Sequence, residues 1–273
     1  MSSLQSRRKA KRNEKVLPPV RPNVGIEAAY RGRLIKLIDA MSNSVVYWLK
    51  ASYRANTPRM AQDETPADAL RRSIRKLAAQ WTKRFDVASE QLGDYFALSV
   101  EKRSSDALRK ILRDGGISVE FKKTAAMRDV IDATVNANVT LIKSIPSQYF
   151  DQVEGAVMRS VQTGRDLAGL VQDLERFSGI SRRRAAFIAL DQNNKATSAV
   201  TTARELALGI DEAEWHHGGG GKEPRPTHVQ AGREKVRYKV STGWYDPAVK
   251  RYIRPGEEPG CRCVGKPVIK GFS

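Results

Sequence analysis

The chain has 273 residues, with 48 Lys and Arg against 30 Asp and Glu, a net charge of +18. That length accommodates one large domain or two modest ones. The cationic excess marks either a protein that works beside a polyanion, most often nucleic acid, or a surface charged only for solubility. No apolar run approaches the ~20 residues that cross a bilayer, and the N-terminus lacks a secretory apolar segment, so no membrane anchor and synthesis in the cytoplasm are expected.

Taken in order, residues 1–23 carry Arg7, Arg8, Lys9, Lys11, Arg12 and Lys15, then Pro18, Pro19 and Pro22. Like charges repel and proline bars a regular helix, which predicts a basic flexible arm leading into an extended linker. Arms of this kind contact phosphate backbones without sequence preference, or are simply disordered. From Gly25 to Tyr53 apolar residues recur at three- and four-residue spacing, the pattern of one long amphipathic helix. Thr65, Pro66 and Asp68 supply a cap, a first-turn proline and an early acid for a second helix, which Gly115 and Gly116 stop.

Ile117, Val119 and Phe121 alternate, as in a short strand or an extended linker. A third helix is expected from Met127 to just before Pro146, and a fourth through Tyr149, Phe150 and Val153 to Gly164. A short one follows from Leu167 to Phe177, ending at Gly179, and Ser181 is expected to cap a last long helix that closes at Gly209. The fold class is therefore mainly α: an elongated multi-helix domain over 24–208, then a small mixed α+β, loop-rich module over 209–273.

The module is chemically distinct. It holds all three histidines, His216, His217 and His228, both cysteines, Cys261 and Cys263, and a glycine run at 218–221. Residues two apart in extended chain face the same side, so Cys261 and Cys263 can address one metal. His228, with His217 or His216, would complete a tetrahedral zinc site. Cys-x-Cys is a weaker zinc signature than Cys-x-x-Cys, and the competing reading packs both thiols as small apolar groups while the histidines bond to loop backbone. Structural zinc is the one cofactor suggested, and no motif demands it.

Catalytic constellations are missing. Glu223, Glu234, Asp246, Glu257 and Glu258 do not cluster as Mg²⁺ ligands, and the glycine run lacks the Gly-Lys-Ser/Thr ending of a phosphate loop, because Glu223 follows Lys222. The expectation is a non-enzyme. Arg182, Arg183 and Arg184 are expected to begin a helix, where cations oppose the dipole. They read as a nucleic-acid or partner contact, or as a solvated charged turn. Trp244, Tyr245 and Tyr252, among Lys239, Lys250, Arg251 and Arg254, suit base stacking or cross-strand packing in a hairpin.

Several stretches carry a resemblance when read together: NVTLIKSI at 138–145 with Tyr149 and Phe150; RAAFIALDQ at 184–192 with Asn194; Gly209 and Ile210 leading to Trp215; then Arg225, Thr227, His228, Gly232, Pro255, Gly256, Pro259, Cys261, Arg262 and Cys263. In this order and spacing they resemble the minor head and head-morphogenesis proteins of tailed bacteriophages, the group typified by the Mu F protein. One departure is Gly260, where that family commonly has Asn. The resemblance implies a virion protein of the head interior or portal vertex, made in the host bacterial cytoplasm. It further implies portal, capsid or scaffolding proteins as partners and a role in organising or delivering packaged double-stranded DNA. The alternatives are a metal-dependent nuclease or DNA-processing enzyme, and a general cytoplasmic nucleic-acid-binding helical protein.

Overall fold

The computed structural model describes residues 14–55, 66–164, 166–219, 221 and 223–271. Arg7, Arg8, Lys9, Lys11, Arg12, Thr65 and Lys222 lie outside them. The helices are α1 (Val24–Ala55), α2 (Pro66–Asp114), α3 (Ala125–Gln162), α4 (Leu167–Ala207) and α5 (Pro226–Arg233). The strands are β1 (Glu14–Val16), β2 (Glu212–His216), β3 (Arg237–Lys239), β4 (Trp244–Asp246), β5 (Arg251–Ile253) and β6 (Val264–Lys270). The chain is thus mainly helical, with a small C-terminal region of short strands and loops.

The helices are fewer and longer than the breaker residues predict. Pro146 sits inside α3, and Gly179 and Ser181 sit inside α4, so the expected breaks are not there. A mid-helix proline costs about 3 kcal/mol and a glycine about 1 kcal/mol. Burial outweighs both. Ile145, Tyr149, Phe150 and Val153 surround the proline in sequence and Phe177, Ala185 and Ile188 surround the glycine, and all seven are buried; a fully buried large apolar side chain contributes ~1.5–3 kcal/mol.

Two compact units form, each from separated segments: Glu27–Tyr95 with Val135–Ala189, and Met1–Ile26 with Phe96–Thr134 and Leu190–Ser273. In the wholly helical unit, the α1 stripe of Tyr30, Leu34, Ile38, Met41, Val45 and Leu49 is fully buried. Its polar atoms are matched across the core: the Tyr30 hydroxyl donates to Asn138 Oδ1 at 2.8 Å, and Tyr149 donates to Ser42 at 3.3 Å.

The other unit holds the sheet. Its four strands run in the order β1-β6-β2-β3, every pair antiparallel. Glu14–Val16, expected within the flexible arm, instead form the edge strand β1, with Val16 opposite Val268. Leu17 and Val20 then enter a core with Leu108, Leu112 and Ile210. The three positions from Ile117 to Phe121 are extended linker, partly buried against that same core. The boundary drawn at 208/209 from the sequence falls inside this unit, whose last helical segment supports the module that follows.

One buried cation organises the unit. Arg204, 4% exposed, pairs with Glu101 at 2.6 Å and donates to Ser105 Oγ and to the Lys122 carbonyl. Its guanidinium also lies over the Phe121 ring, 4.7 Å from the centroid.

Candidate functional site

Within the C-terminal module, short elements converge on an apolar cluster of Ala213, Trp215, Ala231, Tyr238, Val240, Ile253, Cys261 and Cys263. Strand β2, an inner strand of the sheet, contributes Trp215 at the end of a run of three buried residues, Ala213, Glu214 and Trp215. Helix α5 starts on Pro226, a residue suited to a first turn because its missing N–H costs nothing there. That start turns His228 inward, to 2% exposure. The Trp215 and His228 rings meet edge to face at 5.1 Å.

His228 is held at both ring nitrogens. Nε2 lies 3.2 Å from Asp246 Oδ2, while Nδ1 lies 3.4 Å from Cys261 Sγ and 3.8 Å from Cys263 Sγ. A carboxylate only accepts, so Nε2 carries the proton and a neutral ring turns its Nδ1 lone pair to the two sulfurs. Asp246 is itself fixed, because its Oδ1 accepts the Ala248 backbone N–H at 2.9 Å. His217, at the exit of β2, brings its Nδ1 to 3.5 Å from Cys263 Sγ. Both thiols are free and buried.

The thiols titrate as a pair. A hydrogen bond from Cys263 pulls Cys261 well below the usual thiol range, assisted by backbone amides of Cys263 and Gly256 against the cost of burial. Cys263 is pushed up by that same bond to Cys261 and by burial.

Close backbone approaches build the pocket. A Cβ on Gly232 would come within 2.6 Å of His217 Cβ and 2.8 Å of its backbone nitrogen, and one on Gly218 within 1.9 Å of the Arg262 carbonyl. Glycine at these positions lets α5 and the β2 exit close over the cysteines. Arg225 donates to the Pro259 carbonyl at 2.9 Å and so ties the start of α5 to the cysteine loop. Asp191 on α4 accepts the Gly260 N–H at 2.7 Å. Gly260 has φ +67°, the left-handed region that Asn tolerates best among residues with a side chain, so the departure from the family pattern keeps the backbone requirement.

The expected site residues therefore separate. His217, His228, Cys261 and Cys263 come together, whereas His216 faces Arg21, at 3.3 Å between Nη2 and Nε2. Trp215, Gly232 and Pro259 frame the pocket, Arg262 is exposed between the buried cysteines, and Thr227 is half-buried beside His228. In the sequence Asp246 stands only among unclustered acids, because a lone acid before a proline carries no ligand signature; the fold brings it to His228.

Arg182, Arg183 and Arg184 lie in the middle of α4, not at a helix start, so the dipole argument for an anion does not hold. Arg182 pairs with Asp39 at 2.6 Å and Arg184 donates to Ser144 Oγ at 3.0 Å, while Arg183 is exposed. Tyr245 and Tyr252 stand directly opposite each other in the β4–β5 hairpin, edge to face at 5.5 Å, and Trp244 packs on Trp215 at 5.2 Å.

Residues 151–265 match the family described as Phage Mu protein F like protein. That span runs from within α3 through α4 and the whole cysteine–histidine pocket to the start of β6, leaving the stretch at 138–145 ahead of it. A Haemophilus influenzae protein described as uncharacterized is 26% identical over 259 residues, covering 92% of this chain and 55% of its own length. The chain thus spans about half the length of that relative. No solved structure matches. Over residues 151–265 the likeness to the Mu F-like phage family, read first from ordered motifs, is borne out.

Proposed function

We propose that the protein is a minor head protein of a tailed bacteriophage, acting in head morphogenesis at the portal vertex and touching packaged double-stranded DNA. The observation that carries this reading is the Mu F-like match, which takes in the entire pocket and the α4 segment that braces it. Portal, capsid or scaffolding proteins are the partners this role requires, and the virion is its place.

Charge supports the DNA component. The net +18 is partly displayed on α2, where Arg72, Arg75, Lys76 and Lys83 are all exposed on a helix whose opposite face is core. Such a stripe binds phosphate without reading bases, and its affinity falls steeply with salt. The pocket favours a structural over an enzymatic role, since its donors are sulfur and imidazole enclosed in an apolar cluster and not carboxylates open to a substrate.

In-frame deletion of the gene from its phage, with electron microscopy and plaque assay, tests the role. Defective or DNA-less heads rescued by the gene in trans are expected. Normal heads and normal titre without the gene would overturn it, and DNA cleavage that requires His228 would replace it with the nuclease alternative.

A further inference from the structure

We infer that Cys261, Cys263, His228 and His217 bind a structural zinc ion at the centre of the C-terminal module. This goes beyond the head-protein reading and does not depend on it.

The first argument is distance. Zinc takes sulfur at about 2.3 Å and imidazole nitrogen at 2.0–2.1 Å, and tetrahedral angles then set sulfur and nitrogen roughly 3.6 Å apart. The three sulfur-to-nitrogen separations here are 3.4, 3.5 and 3.8 Å. His228 Nδ1 and both Sγ atoms all lie within 4.8 Å of one another, with His217 approaching from the Cys263 side. Ligands packed only as apolar filler have no reason to converge at the spacing of a coordination shell.

The second argument is orientation. Metal-bound histidines commonly give their remote N–H to a carboxylate, which fixes the tautomer and aims the lone pair. Asp246, fully buried, does this for His228, and its second oxygen is held by a backbone amide. Burying a carboxylate so deeply is costly unless it is paired. Holding a metal-binding tautomer gives it a purpose that packing does not.

The third argument is chemical class. Two sulfurs and two imidazoles select zinc over the hard cations that oxygen ligands prefer. His228, Cys261 and Cys263 lie together as three donors, and His217, 3.5 Å from Cys263 Sγ, closes the fourth position on moving in, which is the form of a structural site. The ion would join three segments distant in sequence, the β2 exit, α5 and the loop before β6, in a module whose strands are mostly only three residues long.

Elemental analysis of the full-length, tag-free protein is the test, paired with cobalt titration after chelation. About one zinc per chain is expected, and cobalt should give the intense visible bands and sulfur-to-metal charge transfer of a tetrahedral thiolate site. The cobalt measurement needs no variant, so a misfolded mutant cannot obscure it. C261S and C263S should each abolish stoichiometric zinc, and H217A should weaken it. D246N should lower zinc affinity about 10–100-fold while leaving the ligand set intact. Protein that carries no zinc and shows no thiolate band with cobalt overturns the inference, as does zinc that survives the C261S/C263S double change. Unaltered affinity in H217A overturns the place given to His217.

Discussion

Asp246 and His228 form a carboxylate–imidazole pair across 3.2 Å, with side chains 0% and 3% exposed. Asp246→Ala would strand the Nε2 proton and the Ala248 amide in an apolar cluster. The expected loss is about 1–3 kcal/mol, as for a buried group left without its partner. Asp246→Asn retains an acceptor oxygen and should lose less. Urea unfolding checks the order, and equal midpoints for wild type and Asp246→Ala would refute it.

Two glycines should respond oppositely to substitution. Gly232→Ala drives a Cβ into the His217 backbone and is expected to cost about 1–3 kcal/mol through overpacking. Gly260→Asn places a residue tolerant of positive φ at a φ of +67°, and should stay within ~0.5 kcal/mol of wild type. Gly260→Val should cost at least about 1–2 kcal/mol. Thermal melting of the three variants would show whether that ranking holds.

Arg204 is the buried cation of the sheet-bearing unit. Arg204→Ala leaves Glu101 without its ion-pair partner and frees the Lys122 carbonyl, for an expected loss of about 3–5 kcal/mol. Arg204→Lys keeps the charge but not the planar fork that reaches three acceptors, so it should recover only part of the stability. Full recovery by lysine would mean that charge alone matters at this position.

Glu205 gives a pH signature. Burial raises its carboxyl from 4.5 to about 8, and its Oε1 has no hydrogen-bond partner among the described residues. Its charge would also face Tyr238, whose hydroxyl is pushed up first by burial and then by Glu205, with Arg254 acting in the opposite sense. Because the folded value exceeds the unfolded one, stability is full below about 4.5 and is lost as pH rises through about 8. The slope from this group is up to about 1.4 kcal/mol per pH unit. Glu205→Gln should flatten the pH dependence of unfolding between those limits; an unchanged profile would show that Glu205 is ionised in the folded protein.

Much of the helical unit was legible because its periodicity is long and unbroken. The stripe from Tyr30 to Leu49 is buried as its spacing predicts. Legibility failed where one local signal met a larger tertiary term. Pro146 and Gly179 read as helix ends, yet each is carried inside a helix by buried neighbours on both sides. β1 was hidden in a run of charge because its pairing partner β6 lies some 250 residues later.

The site divides in the same way. Cys261 and Cys263 declare themselves by residue type and by two-residue alternation, and they do face inward around an exposed Arg262. Asp246 and Gly232 act through approach distances that only the folded chain creates. At arginines 182–184 the expected helix start does not exist, because the helix runs on from Leu167 through them.

Quantitative mass spectrometry of purified procapsids and mature heads tests the central claim most directly. A head protein of this kind should be present at a few copies per particle, in fixed ratio to the portal and far below the major capsid protein. Its complete absence from both particles, with the protein abundant in the lysate, would contradict the account.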